Sequence, residues 1–128
     1  MTSRTAELLA ILQKSFHPRE EGWIWLAAYL EDTEGGTVSQ FEGAYEQPLA
    51  TARGLAEIMN GCGADRTYLA ICRRDGKPTE ADREMWRELR SLVDSSLLLD
   101  MVVFNRREAW SMRSEDAAAA MTSGGGTL

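Results

Sequence analysis

Two stretches carry side chains that could do chemistry. The first runs from Cys72-Arg73-Arg74-Asp75 to Thr79-Glu80-Ala81-Asp82. A thiol and carboxylates this close together in sequence could ligate a divalent cation, provided they converge on one point at about 2.0–2.4 Å. A cysteine beside two arginines could also have a lowered pKa and act as a nucleophile. The second is Asp100, the one charged residue in the apolar run Leu97 to Phe104. A carboxylate in such a setting needs a partner, either an arginine or backbone N–H groups, or it lines a polar cleft.

Each of these residues also has a plainer reading, which is the one preferred here. Thr79-Glu80-Ala81-Asp82 has the pattern of a capping box, with aspartate in place of the usual glutamate. A helix cap stabilises by roughly 1 kcal/mol, which accounts for both residues without chemistry. Strand parity turns Cys72 inward, and no base lies beside it. Asp100 is satisfied by an ion pair or a backbone donor. The single histidine, His17, has no triad partners, and Gly35-Gly36 belongs to a hairpin rather than a phosphate-binding loop. Trp23, Trp25, Trp86 and Trp110 fall at packing positions.

The elements that must position these residues follow from periodicity. Leu8, Leu9, Leu12 and Phe16 have helical spacing, capped by Thr2 or Ser3. Gly22 to Leu30 is apolar on both faces and reads as a covered strand. The turn 31–36 then leads into a weakly alternating, more exposed strand from Thr37 to Gly43. Ala52, Leu55, Ala56 and Met59 form the stripe of a second helix. Arg66 to Arg73 is a strand buried on both faces. The turn Arg74 to Pro78 leads to a third helix with Met85, Trp86, Leu89, Leu92 and Val93 inward. Leu97 to Phe104 and Ala109 to Arg113 make the last two strands. The order α-β-β-α-β-α-β-β predicts an α/β fold, a three-layer α/β/α arrangement around a mixed five-stranded sheet.

Length, at 128 residues, fits one domain over 1–113, followed by a flexible Ala/Ser/Gly-rich tail over 114–128, mobile or at most a frayed helix. No apolar run reaches membrane-spanning length, and the first residues lack the build of a signal peptide, so a cytoplasmic protein with two reduced thiols is expected. The net charge of −6 argues against non-specific nucleic-acid binding. The charge is uneven, however. Residues 1–65 hold four basic and ten acidic side chains, whereas residues 66–113 hold ten basic and eight acidic. Any anion-facing surface therefore belongs to Arg73, Arg74, Lys77, Arg106 and Arg107.

This order and turn resemble the JAB/MPN (JAMM) fold, which is cytidine-deaminase-like, and most closely the C-terminal domain of the bacterial RadC family. The likeness covers Thr5 to Arg113. It is carried by Arg19-Glu20-Glu21-Gly22-Trp23-Ile24-Trp25-Leu26, by Gly43 at the end of the second strand, and by Thr67 to Arg73 with Pro78-Thr79-Glu80-Ala81-Asp82. Leu98-Leu99-Asp100-Met101-Val102-Val103 and Trp110-Ser111-Met112 complete it. In that family two histidines of a His-x-His-Pro turn and an aspartate hold zinc, and a glutamate on the second strand activates water. Here Cys72-Arg73-Arg74 stands where the histidines would be. Val38, Ser39 and Gln40 span the glutamate position, and Glu42 is out of register. Only Thr79 and Asp82 match.

The resemblance thus implies a pseudoenzyme: a RadC-like domain without zinc or other cofactor, acting as a protein-interaction or dimerisation module, with a remnant cleft at Cys72, Arg74, Thr79, Asp82 and Asp100. The partner would be another protein or a second copy forming a homodimer, with no membrane involvement. Two alternatives stay open. One is a metal-dependent hydrolase of peptidase or isopeptidase type, with zinc on a rebuilt ligand set of Cys72, Asp75 and Asp82. The other is a DNA-repair-associated role, by analogy with the family label.

Overall fold

The two-sided strands meet in one mixed sheet. A computed structural model describes residues 3–32, 35–42 and 47–126 of the chain. Strand β3 (Arg66–Cys72) lies in the middle of a five-stranded sheet ordered β2-β1-β3-β4-β5. On one side β1 (Ile24–Tyr29) pairs with it antiparallel, and β2 (Gly36–Phe41) adds antiparallel at the edge. On the other side β4 (Leu98–Phe104) runs parallel to β3, and the three-residue β5 (Ala109–Ser111) closes the second edge antiparallel.

Alternation divides the strand side chains between two cores. Ile24, Leu26, Leu69, Ile71, Met101 and Val103 face helices α2 (Pro48–Gly61) and α3 (Glu80–Leu92). Trp25, Ala27, Tyr68, Ala70, Cys72 and Phe104 face Leu9 and Leu12 of α1 (Ser3–Lys14). Helices thus cover both faces, as the alternation of helices with two-sided strands predicts. Trp25 packs against Phe104 with ring centroids 5.7 Å apart, and Trp86 is buried in the opposite layer. Trp110 does not join either core. It is 39% exposed on the outer strand β5, which corrects its assignment as a packing residue. The second strand is exposed almost throughout, as its weak alternation predicts. Thr2, Gly43 and the hairpin residues Thr33-Glu34 lie outside the described residues.

Of the two expectations for the stretch from Ser114, a mobile tail or a frayed helix, the structure has the helix. Residues Met112–Gly126 form helix α4. Its start is fixed from both sides: Ser111 Oγ accepts from the Ser114 N–H at 3.1 Å, and the Arg113 N–H donates to Asp100 at 3.0 Å. This cap is why β5 stops at Ser111 rather than continuing to Arg113. Further on, Arg83 pairs with Glu115 at 2.8 Å. Asp116 accepts from both the Trp86 indole N–H and Arg90, each at 2.6 Å. The run Ala117 to Ala120 then continues with the strongest helix former. Among the described residues no helix is long and apolar enough to cross a membrane.

Candidate functional site

The junction between β3 and α3 holds most of the residues that the spacing singles out. Thr79 caps α3 and completes the expected box: its hydroxyl accepts from the Asp82 N–H at 3.1 Å, and the Asp82 carboxylate accepts from the Thr79 N–H at 2.9 Å. Asp82 is fully buried. Its second partner is Arg73, whose guanidinium forks onto both carboxylate oxygens, at 3.0 Å through Nε and 2.6 Å through Nη2. Such bidentate pairs are among the strongest hydrogen-bonded contacts available to side chains.

This placement corrects the reading of Arg73 as part of an anion-facing surface. Arg73 is only 8% exposed. Parity explains it. Ile71 faces α3, Cys72 faces α1, and Arg73 comes back to the α3 side, where Asp82 sits on the helix's first turn. Glu21 adds a second carboxylate from the chain just ahead of β1. It lies 3.4 Å from Arg73 Nη1 and accepts from the Arg74 N–H at 2.5 Å.

The turn itself is pinned throughout. Asp75 accepts from the Lys77 N–H at 3.0 Å. Gly76 has φ +69° and is packed so that an added Cβ would come within 3.1 Å of Asn105 and Glu108. Asn105 donates to the Arg74 carbonyl at 3.0 Å and accepts from the N–H groups of Arg107 and Glu108. The loops after β3 and β4 are therefore stitched into one unit. This brings exposed Arg74, Lys77, Arg106 and Arg107 to one end of the sheet, interleaved with Glu21, Asp75 and Glu108.

Cys72, Asp75 and Asp82 do not converge. Cys72 is buried against α1, on the opposite face of the sheet from Asp82. Asp75 is exposed in the turn. Among the described residues no group of three His, Cys, Asp or Glu side chains is placed to hold a metal ion. A zinc ion does not fit these residues: Asp82 is committed on both oxygens to a guanidinium and a backbone N–H. Nor does the setting of Cys72 favour a thiolate. Burial pushes its thiol up to about 12, Glu21 and Glu20 push the same way, and the neighbouring Arg73 does not offset them. Val38 is 55% exposed on the edge strand. His17 is used locally, accepting from the Arg19 N–H at 3.1 Å.

Asp100 lies apart from this junction, near the start of β4. It accepts from the Ser111 hydroxyl, from the Met101 N–H at 2.8 Å and from the Arg113 N–H at 3.0 Å. The backbone-acceptor reading of this residue therefore holds, and its role is to cap α4. It does not share a cleft with Cys72, Arg74, Thr79 and Asp82. The residues missed at the sequence level are Glu21 and Tyr68. The charged run Arg19-Glu20-Glu21 was visible, but its contact with Arg73 spans 52 residues of chain. No protein-family model and no curated protein matches this sequence.

Proposed function

We propose that the chain is a non-catalytic interaction module on a RadC-like JAB/MPN scaffold, and that it works by pairing its edge strand β2 with a second copy of itself. The observation that carries this reading is the state of β2. It is the outermost strand, six residues long, and five of its six residues are exposed. A strand of this kind offers a row of backbone donors and acceptors to a partner strand. The opposite edge offers only three residues and runs directly into α4. The buried Arg73–Asp82 pair supports the non-catalytic half of the reading, because it takes up the one carboxylate that matches the family's metal ligand.

The test is sedimentation velocity over a range of concentrations, combined with hydrogen exchange of the β2 amides. A dimer is expected whose formation protects those amides, and Val38→Lys, which places a charge on the edge, returns it to monomer. A monomer at every concentration, with β2 exchange unchanged, overturns the reading.

A second reading, a nucleic-acid-linked role, has one observation in its favour: Arg74, Lys77, Arg106 and Arg107 cluster on two joined loops. It predicts salt-sensitive DNA binding that is lost in an Arg74, Arg106 and Arg107 triple alanine variant. The interleaved carboxylates and the acidic chain weigh against it.

A further inference from the structure

A second polar site lies at the other end of β3. A cleft of about 510 Å³ opens between α1 and the start of α4, lined among others by Thr5, Tyr68, Asp100, Ser111, Arg113 and Ser114. Tyr68 and Cys72 are four residues apart on one strand, so this cleft lies roughly 13 Å from the junction.

The sheet is irregular here. Thr67 pairs with Leu98, whereas Leu69 pairs with Met101, so β4 carries one more residue than β3 over this step. The extra residue lies within Leu99-Asp100, opposite Tyr68. Leu98 and Met101 still reach the same core, and the bulge is taken up between them. Bulges in parallel pairs are rare, and bulges in general re-aim side chains beside functional sites.

Two features of the cleft are left unbalanced. Tyr68 is 1% exposed, and its phenol oxygen has no hydrogen-bond partner among the described residues, which is uncommon for a buried polar atom. Asp100 is held by three hydrogen-bond donors yet forms no ion pair among the described residues. The nearby Arg113 guanidinium turns away to the carbonyls of Ser95, at 3.2 Å, and Leu98, at 2.7 Å. Burial, reinforced by the Asp100 charge, raises the Tyr68 pKa, so the phenol stays neutral and can accept as well as donate.

The sign of the site follows from these contacts. The α4 N-terminus would ordinarily attract an anion. Here two of its first-turn N–H groups are already taken, Arg113 by Asp100 and Ser114 by Ser111. A second anion would meet the Asp100 carboxylate. The one cation lining the cleft, Arg113, is engaged by backbone carbonyls and makes no ion pair with Asp100, so a further positive group rich in donors could reach a carboxylate with an unused lone pair and a phenol oxygen together. We infer that the cleft binds a primary amine as its ammonium ion, donating to Asp100 and Tyr68. The amine could be a free small molecule or a lysine side chain of a partner protein, since both present the same head group.

The test is a titration of isotope-labelled full-length protein, followed by amide shifts, with putrescine, with Nα-acetyl-lysine methylamide, and with glutarate as the anionic control. Saturable shifts at Asp100, Ser111 and Ser114 are expected with the amines and not with glutarate. The amine that binds more tightly identifies the source. Tyr68→Phe should weaken binding about tenfold, the worth of one hydrogen bond, while the melting temperature stays level or rises. Asp100→Asn keeps shape and acceptor and should abolish binding. The inference is overturned if neither amine gives saturable shifts, if Tyr68→Phe binds as tightly as the parent, or if glutarate occupies the same residues.

Discussion

The two ends of β3 handle buried charge in opposite ways. At the C-terminal end, Asp82 has no exposure and is neutralised by a forked guanidinium and a capped backbone N–H. At the N-terminal end, Asp100 sits half-buried with donors but, among the described residues, no ion-pair partner, and the phenol of Tyr68 beside it has no hydrogen-bond partner among them. A region whose polar atoms are consumed by one another is a structural joint. A region that leaves a charge and an oxygen unbalanced retains the capacity to bind. The end that carries the chemically suggestive sequence is therefore the closed one, and the end that looked merely odd is the open one.

Substitutions at the two ends should separate them. The largest effect is expected for Arg73→Met, which leaves Asp82 buried and unpaired and should cost about 3–5 kcal/mol in urea unfolding. A loss under about 1 kcal/mol would mean that the junction is not held by this pair. Asp100→Ala comes next. It removes the acceptor for Ser111, Met101 and Arg113, and should cost roughly 1–3 kcal/mol with loss of helical signal from α4. Thr79→Ala removes one half of the capping box and should cost about 1 kcal/mol by the same measurement. Tyr68→Phe is the smallest and differs in sign. Removing an unpaired hydroxyl should leave stability unchanged or raise it by up to about 1 kcal/mol. A clear loss there would show that the phenol has a partner and that the contrast between the two ends is smaller than described.

The difference between the ends also explains what could be read in advance. Periodicity reveals β1, β3 and β4, because strands buried on both faces leave nearly unbroken apolar runs, and Thr79-x-x-Asp82 announces its cap locally. The α/β class with a mixed five-stranded sheet follows from those elements. Arg73 was legible in principle: one more step of strand parity places it on the α3 face opposite Asp82. It was read as surface because charges usually are. The Tyr68 cleft was not legible. It depends on a one-residue slip between β3 and β4 and on where α1 settles, and neither leaves a local pattern. What anchors helix α4 was not legible for a related reason. Its Ala- and Gly-rich composition suggests a tail, while its anchors, Glu115 on Arg83 and Asp116 on Trp86 and Arg90, act across about 30 residues of chain.

The closed junction is the claim on which the non-catalytic reading rests, and metal content tests it most directly. Elemental analysis of protein purified without chelator, then dialysed against zinc and desalted, should find well under one zinc per chain, unchanged in Asp82→Asn. One tightly held zinc per chain, lost in Asp82→Asn, would contradict the account.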